Sequence, residues 1–391
     1  MADLSINAGG LKMKNPVMIA SSPLTAKLSL LKEAEENGAG GVSIKHTMMH
    51  QAFRARPRWY HDPDLGIVVS GDPRLEPDFA CELVRQAKEQ TDLTIVVNMS
   101  GAPGNLESWG TIAGMLKQAG ADAVELNFNC PNLLSAGSKA AAQGSNLGTD
   151  PEACRLVVEE VRKAVDIPVV VKLNTEGGMI LKVAAACARD EKVIMNVHMG
   201  GRSAPGIDIY QGGKFLYPGS PKGSLGGFSG PWGRTMSNRY IADVARALPQ
   251  STVIGGSGLE TWSQMIETIM FGAKCVTVCT SVMKRGFGVV KTAVEAMARF
   301  LDEQGYRSID EICGRALQNI VAPAEMVYKE VAAVIDSRRC TGCKSCTKMP
   351  TCTAIRYEES TRKCVVTPEA CIGCGLCLGV CPKKAIDIVE L

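Results

Sequence analysis

The chain has 391 residues, of which 46% are hydrophobic and 21% are charged, and its formal net charge is +3. This composition is typical of a soluble globular protein and excludes a disordered chain. The small net charge argues against a nucleic-acid partner, and the sequence shows neither a signal peptide nor a membrane-length apolar run, which predicts a cytoplasmic protein without a membrane partner.

From residue 16 to residue 280, short β-branched runs alternate with longer amphipathic stretches. The runs are apolar along most of their length, as strands buried on both faces of a parallel sheet are. We predict eight such strands, at residues 16–20, 41–45, 93–98, 122–127, 168–173, 192–196, 251–257 and 274–280. Eight strand–helix units predict an α/β fold, a (β/α)8 TIM barrel. An open doubly wound sheet is the alternative, but no Gly-x-Gly-x-x-Gly follows the first strand.

The clearest helix start follows the fourth strand. Asp150 is predicted as the N-cap and Pro151 as the first helical residue. We predict that one face of this helix is buried. Its apolar residues are Ala153, Leu156, Val157, Val161 and Ala164.

Polar residues occur at the carboxyl ends of most of these strands, where TIM barrels place their active sites. Core packing does not explain so many polar side chains at the same ends of buried strands, and we interpret them as a site. They are Lys45, Asn98, Asn127, Lys172, Asn196, Thr280 and Ser281.

Two glycine-rich segments follow the sixth and seventh strands, at residues 200–233 and 255–262. Together with Thr280 and Ser281 they occupy the place where TIM barrels bind a phosphate group through backbone N–H groups. This pattern favours a cofactor that carries a phosphate.

Nine of the sixteen cysteines lie between Cys340 and Cys381. A disulfide framework is typical of short secreted domains, so metal binding is the better explanation. Residues 371–382 follow the C-x2-C-x2-C-x3-C-P spacing of bacterial ferredoxins, and residues 340–352 repeat it with a longer gap before Cys352.

In two-cluster ferredoxins the fourth cysteine of each run ligates the other cluster, which predicts two [4Fe–4S] clusters here. The ligands of one are predicted to be Cys340, Cys343, Cys346 and Cys381. The ligands of the other are predicted to be Cys371, Cys374, Cys377 and Cys352. A zinc ribbon is the alternative, but zinc sites do not require the repeated x2 triplet.

The remaining cysteines have no place in this pattern. Cys364 is predicted to lie in a hairpin. Six others are predicted to be small buried hydrophobic residues. These are Cys81, Cys154, Cys187, Cys275, Cys279 and Cys313. The cysteine distribution predicts a barrel domain over residues 1–325 and a ferredoxin-like domain over residues 326–391.

Four segments carry a resemblance to a known family: "ELNFNCPN" (125–132), "VVVKLN" (169–174), "GGFSG" (226–230) and "GGSGLETW" (255–262), followed by the paired ferredoxin motifs. With these the chain resembles the dihydroorotate/dihydropyrimidine dehydrogenase family, and most of all the catalytic subunits of bacterial dihydropyrimidine dehydrogenases. The resemblance implies that the barrel binds FMN and that the enzyme acts on the CH–CH bond of a ring.

The resemblance also implies roles for individual residues. Cys130 matches the catalytic position, and Lys172 and Lys45 match lysines that contact the flavin. Amides that hold the substrate ring are matched by Asn105, Asn127, Asn132 and Asn196. Positions that bind the flavin and its phosphate are matched by Ala20, Ser21, Asn98, Gly227, Gly258, Thr280 and Ser281, and Asn127 and Asn196 are expected to contact the flavin as well as the substrate.

In this interpretation the flavin delivers a hydride to a ring C=C conjugated to a carbonyl, and Cys130 donates the proton. Lys172 stabilises negative charge on the reduced flavin. The chain departs from relatives that act on pyrimidines at Val197 and His198, after the sixth strand. We therefore keep open a non-pyrimidine lactam or enone, or a carboxylated ring selected by Arg202 or His198.

The sequence contains no second dinucleotide-binding domain. We therefore expect the electron partner to be a separate FAD/NAD(P)H-binding subunit or a soluble ferredoxin. The resemblance implies a homodimer or a hetero-oligomer. Three other functions are weighed: a dihydroorotate dehydrogenase, a flavoprotein that modifies RNA, and a pure electron carrier. The small net charge argues against the second.

Overall fold

The computed structural model describes residues 2–49, 56–130 and 144–391. The chain forms two compact units, Met1–Ile320 and Val321–Leu391. Of the predicted site residues, only Asn132 lies outside the described ranges.

The first unit is a closed barrel of eight parallel strands. Each strand pairs with the next along the chain, and the eighth pairs with the first. The predicted TIM barrel is confirmed. The barrel strands are Val17–Ile19, Gly41–Met48, Thr94–Ser100, Ala123–Asn127, Val169–Leu173, Val193–Val197, Val253–Gly255 and Ala273–Val278.

The strand register explains how polar residues far apart in sequence come together. Asn127 on the fourth strand is directly opposite Lys172 on the fifth, which is opposite Asn196 on the sixth. Asn98 on the third strand is opposite Glu125 on the fourth. Because side chains alternate between faces, Glu125 and Asn127 point to the same side of the sheet.

Nine α-helices lie in the described part of the first unit. Their bounds are Leu28–Glu36 (α1), Pro77–Gln90 (α2), Glu107–Gln118 (α3), Pro151–Ala164 (α4), Ile180–Cys187 (α5), Gly233–Ala247 (α6), Trp262–Met270 (α7), Thr280–Arg285 (α8) and Gly288–Gln304 (α9).

Helix α4 begins as predicted, since the Asp150 side chain accepts hydrogen bonds from the N–H groups of Glu152 and Ala153. Its predicted buried face is partly wrong, because Leu156 and Ala164 are exposed. The buried face is rotated by one position, so that β-branched side chains and a thiol meet the barrel. It consists of Cys154, Val157, Val158 and Val161.

Two excursions from the barrel build a second, four-stranded sheet that was not predicted. Trp59–Asp62 and Gly66–Val69 come from the segment after the second barrel strand. Arg202–Ser203 and Gly226–Ser229 come from the segment after the sixth. Gly66–Val69 pairs antiparallel with Gly226–Ser229, which joins the two excursions. Two antiparallel hairpins complete the unit, Ile6–Ala8 with Leu11–Met13 and Ile207–Asp208 with Lys214–Phe215.

The second unit contains two antiparallel strand pairs and one short helix. Val331–Ile335 pairs with Ile386–Glu390, and Ile355–Glu358 pairs with Lys363–Val366. The helix spans Leu376–Val380 (α10). Cys364 lies in the second hairpin, as predicted. Every helix of the described ranges is too short or too polar to cross a membrane.

Candidate active site

A groove lies at the carboxyl ends of the barrel strands. It consists of three cavities that share two lining residues, His198 and Ser229. The excursion sheet contributes Val69 and Phe228 to the wall. Ten of the predicted site residues line the groove: Ala20, Ser21, Lys45, Asn127, Cys130, Lys172, Gly227, Gly258, Thr280 and Ser281.

A buried glutamate, Glu125, organises the floor below this groove. The amide of Asn98 and the hydroxyl of Ser43 donate to its Oε2, the latter at 3.0 Å. The Asn196 amide donates to Oε1 at 2.5 Å, and the Lys172 ammonium lies 3.9 Å from Oε2. Glu125 is 1% exposed. A buried carboxylate is stable only when it is hydrogen-bonded and paired, and these four groups meet that requirement.

Asn127 orients the segment that carries Cys130. Its Nδ2 donates to Asn98 Oδ1 at 2.9 Å. Its Oδ1 accepts from the backbone N–H groups of Cys130, at 2.8 Å, and Asn129, at 3.2 Å. Asn98 and Asn127 are therefore hydrogen-bonded to each other, Asn98 also to Glu125 and Asn127 also to the backbone. Together these bonds fix the position of the Cys130 Cα atom.

The Cys130 thiol lies among charged side chains. Nη2 of Arg74 is 3.2 Å from Sγ of Cys130. Arg74 also donates to the backbone carbonyl of Asp72, at 2.5 Å, and the Asp72 carboxylate pairs with Lys45. Burial lowers the pKa of Lys45, and the Asp72 charge opposes that shift. This set gives the pocket a guanidinium in direct contact with the thiol.

Two histidines line the same pocket in neutral form. Burial lowers the pKa of His46 well below its ordinary value, and its Nε2 is 2.8 Å from Ser100 Oγ. Burial and, to a smaller extent, the Lys172 charge lower the pKa of His198 to about 4. His198 Nδ1 lies 2.8 Å from the carbonyl oxygen of Gly256, so this nitrogen is the donor. Near neutral pH neither histidine supplies positive charge to a ligand.

The lowered pKa of His198 predicts an acid-sensitive fold. An unfolded histidine has a pKa of about 6.5, so between that pH and about 4 the unfolded state binds a proton that the folded state does not. This contribution to stability is constant above the window and is lost as pH falls through it. The full shift corresponds to about 3 kcal/mol. We expect His198→Gln to flatten the pH dependence of urea unfolding between about pH 7 and pH 5.

The His46 contribution has the same sign, so a smaller slope is expected to remain in His198→Gln. A variant whose unfolding free energy falls as steeply as that of the wild type would contradict this assignment.

The far end of the groove is built from polar and glycine residues. Ser229 Oγ is 2.6 Å from Thr280 Oγ1, and the buried Ser281 hydroxyl has no hydrogen-bond partner among the described residues. Gly258 has φ = +66°, and a Cβ there would lie 2.3 Å from the carbonyl oxygen of Gly230. Only glycine fits this close approach. Glu260 is the one carboxylate in the described lining of this cavity.

Several predicted site residues lie elsewhere. Asn105 is exposed, and its side chain accepts from the N–H of Ser108 at the start of α3, so the structure does not bring it into the groove. Asn98 and Asn196 lie beneath the groove on Glu125. Arg202 donates to Asn146 and Ser145 and pairs with Glu176.

The expectation of a fully buried cysteine is wrong for two residues. Cys313 is half-buried, and Cys279 is a half-buried residue that lines two of the groove cavities. Cys279 directly follows the eighth barrel strand, at the edge of the groove, so its position resembles that of the polar strand-end residues rather than that of the core.

Four residues of the site were not predicted from the sequence, Glu125, Arg74, Asp72 and His46, and Asn129 was predicted only as part of the amide cluster, without a role of its own. Glu125 offered a signal, since it is an acidic residue within an otherwise apolar strand. Asn129 is part of the quoted motif, and its Nδ2 donates to the His198 carbonyl at 3.1 Å, while its Oδ1 has no partner among the described residues. The other three lie on or after the second barrel strand, in a segment without a recognisable pattern.

In the second unit, the cysteines surround two cavities. One is lined by Cys340, Cys343, Cys346 and Cys381, with Cys364 beside them. The other is lined by Cys352, Cys371, Cys374 and Cys377. Backbone N–H groups of Ala385 and Ala333 donate to the sulfurs of Cys381 and Cys371, each at 3.3 Å. Within the described ranges, no three His, Cys, Asp or Glu side chains converge tightly enough to hold a single metal ion. The cysteines of each group instead surround a space.

Comparisons with known proteins agree with both units. The family model described as dihydroorotate dehydrogenase matches residues 3–301, and a 4Fe-4S binding domain model matches residues 364–387. The NAD-dependent dihydropyrimidine dehydrogenase subunit PreA of Escherichia coli is 29% identical over 408 aligned positions, which cover 100% of this chain and 96% of that protein.

Two archaeal proteins are similar to the barrel unit. The catalytic subunit of dihydroorotate dehydrogenase B (NAD(+)) from Pyrococcus abyssi is 32% identical, over 81% of this chain and 99% of that protein. The corresponding subunit from Pyrococcus furiosus is 31% identical, over 80% and 98%. The predicted resemblance is thereby confirmed, and the chain belongs to the dihydroorotate dehydrogenase family, whose members are oxidoreductases that act on CH–CH groups.

Proposed function

We propose that this protein is an FMN- and iron–sulfur-dependent oxidoreductase that reduces, or in reverse forms, a ring C=C conjugated to a carbonyl. The main observation that supports this function is the position of the Cys130 thiol. It lines one pocket with Lys172 and Asn129, at the carboxyl end of the fourth barrel strand. The dihydropyrimidine dehydrogenase subunit of Escherichia coli supports this chemistry, since its similarity extends over both units of this chain.

Two parts of the groove suit FMN: the end that would hold its phosphate and the cavity that would hold its ring system. The Ser281 hydroxyl and the Gly258 turn suit a phosphate group, which binds hydroxyls and close-approaching backbone. Ala20, Ser21 and Lys172 line the central cavity, where the ring system would lie. Bound FMN would supply or accept the hydride. Lys172 would stabilise the negative charge of the reduced ring, and the Glu125 carboxylate orients its ammonium.

Cys130 is the proposed proton donor in the reducing direction and the base in the reverse direction. When its proton moves to the ring carbon, the sulfur becomes a thiolate. The guanidinium of Arg74, 3.2 Å from Sγ, can stabilise that charge by a charge-assisted hydrogen bond. Asn127 keeps the thiol in place through the Cys130 backbone N–H. In this way the chain fixes both the donor atom and the charge that its proton leaves behind.

An unpartnered amide oxygen supplies the proposed contact to the ring. Oδ1 of Asn129, which lines the same pocket as Cys130, is buried and has no partner among the described residues. It can accept from a ring N–H, as in a lactam or an imide. A substrate without such a group would leave this oxygen unpaired, which costs about 1–3 kcal/mol. Asn132, beyond the described part, stays a predicted contact.

The two cysteine cavities support two [4Fe–4S] clusters, with the ligand sets predicted from the sequence. The clusters would pass single electrons between a partner protein and the flavin. We propose a separate FAD/NAD(P)H-binding subunit or a soluble ferredoxin as that partner. The subunit designation of the PreA relative supports this proposal.

The experiment that tests the function is an anaerobic screen. The purified holoenzyme is reduced with dithionite, and uracil, thymine, orotate and related cyclic lactams and enones are added one at a time. Reappearance of the oxidised flavin spectrum with one compound, together with its CH–CH reduced product, is the expected result. If no ring compound reoxidises the flavin while an artificial electron acceptor does, the chain is an electron carrier and the proposal fails.

A second candidate substrate is a ring that bears a carboxylate, and the observation that favours it is Arg74. The cavity that Cys130 lines is also lined by three cations, Lys45, Arg74 and Lys172. Asp72 is the only carboxylate in its described lining. The guanidinium geometry suits a carboxylate. Arg202, the residue first considered for this role, already pairs with Glu176 on the rim.

We therefore expect Arg74→Gln to raise the KM for a carboxylated ring roughly 10- to 100-fold, because a hydrogen bond to a charged group contributes about 1.5–3 kcal/mol. The KM for a neutral ring should change little. Arg202→Ala is the matched control and should leave both values near those of the wild type. Steady-state kinetics with a carboxylated and a neutral member of the same ring system measure the difference. Equal effects of Arg74→Gln on both would rule out carboxylate recognition.

A further inference from the structure

Cys364 is a fifth cysteine in the first cysteine cavity, which it lines together with Cys340, Cys343, Cys346 and Cys381. It is 3% exposed, although it belongs to a four-residue strand near the surface. The ligand spacing of the ferredoxin motifs gives it no role. Cys364 belongs to the small buried core of the unit together with Cys340 and Cys346, and it also lines the cavity of the four predicted ligands.

The hairpin that carries Cys364 is fixed against the first ligand run. Gly342, between Cys340 and Cys343, has φ = +69°, and a Cβ there would lie 2.2 Å from the carbonyl oxygen of Arg362. Lys363 donates a hydrogen bond to the Cys340 carbonyl. These contacts before Cys364 hold the strand in one position relative to the ligands.

Cys364 and Cys346 are both buried and line the same cavity, so the Cys364 thiol lies beside the sulfur shell that the four ligands would form. A metal-bound thiolate has no proton to donate, so in a hydrogen bond between Cys364 and a ligand sulfur the donor is Cys364. The second cavity differs here. All of residues 321–391 are described, and in them only the four predicted ligands among the cysteines line that cavity.

We propose that Cys364 donates an S–H hydrogen bond to the sulfur shell of the first cluster and so raises the reduction potential of that cluster relative to the second. Hydrogen bonds to the sulfurs are one of the factors that set iron–sulfur potentials, because they stabilise the more negative, reduced form. Cys364 is a positioning residue in this role and not a ligand. The inference rests on the proposed two-cluster assignment.

The consequence is an asymmetric pair built from two similar motifs. An electron that reaches the second unit is held preferentially on the first cluster. The side chain that creates the difference lies outside both ligand motifs.

The experiment compares Cys364→Ala, which removes the donor, with Cys364→Ser, which keeps one. Both are purified anaerobically as the holoenzyme, iron content is measured, and redox titrations are followed by electron paramagnetic resonance. In the wild type, two titration steps are expected. In Cys364→Ala we expect the higher-potential step to move to lower potential while the other step stays. In Cys364→Ser the shifted step should return toward the wild-type position.

Each other outcome overturns the proposal in a recognisable way. Loss of half the iron in Cys364→Ala would make Cys364 a ligand. If both titration steps of Cys364→Ala stay at their wild-type potentials, Cys364 has no effect on the cluster potential. If both steps shift equally, the substitution disturbs the whole unit. These three outcomes leave the proposed function intact. A wild type that holds only one cluster would instead contradict the two-cluster assignment, and this inference with it.

Discussion

Replacing Cys130 with alanine is expected to lower kcat roughly 10²- to 10⁴-fold, the usual contribution of a positioned general acid or base. The thiol lines the pocket beside Lys172 and contacts Arg74, so its removal takes away the proton donor and leaves the lysine in place. The pocket and its flavin contacts should persist. Stopped-flow absorbance of the bound flavin, mixed with the substrate identified in the screen, measures the effect directly.

Cys81→Ala is the control for Cys130→Ala, because Cys81 is a buried thiol on α2 that lies outside the groove lining. It should retain the wild-type rate. Cys130→Ser tests the chemistry more finely, since a hydroxyl keeps the geometry but is a weaker acid, and an intermediate rate is expected. If Cys130→Ala turns over as fast as the wild type, another group supplies the proton and the proposed role of Cys130 is wrong.

Replacing Glu125 with alanine is expected to lower the free energy of unfolding by about 3–5 kcal/mol, the cost of breaking a buried ion pair by removing one partner. Asn98, Asn196 and Ser43 would each lose their acceptor, and Lys172 would lose its nearest buried anion. Urea denaturation followed by circular dichroism of the purified protein measures the loss. Flavin content after purification should fall with it, because Lys172 is no longer oriented.

Glu125→Gln keeps the shape of the side chain and removes its negative charge. The amide retains an acceptor oxygen for only one of the two asparagines, because Asn196 and Asn98 donate to different oxygens of Glu125, and it cannot form an ion pair with Lys172. We expect a smaller loss of stability than in Glu125→Ala, together with weaker flavin retention. A Glu125→Ala protein as stable as the wild type would mean that water replaces the carboxylate, and the floor would not depend on it.

The barrel and the strand-end residues were predictable because they follow from local pattern and from one rule of topology. Apolar β-branched runs locate the strands, and in-register parallel pairing then brings Asn127, Lys172 and Asn196 to one level. The grouping of the cysteines was predictable for a similar reason, since their spacing is a property of the chain alone. The structure places the eight predicted ligands around two cavities, four at each, with Cys364 as a fifth cysteine at the first.

The rest of the site depends on contacts that no local pattern encodes. Arg74 reaches the thiol, and Asp72 reaches Lys45, because Gly66–Val69, just before them, pairs with Gly226–Ser229, more than a hundred residues away in sequence. Asn105 was misplaced for the opposite reason. Its sequence context suggested a substrate contact, but its side chain accepts from the N–H of Ser108 in the first turn of α3.

The floor residues Glu125, Asn98, Asn196 and Lys172 belong to the barrel strands, whereas Arg74 and Asp72 belong to an excursion that the barrel does not need for closure. Substitutions in the excursion can therefore change the charges around the Cys130 thiol without removing a strand of the barrel or a contact of Glu125. A different preference among ring substrates needs changes in that segment alone, while the closed barrel beneath it stays the same.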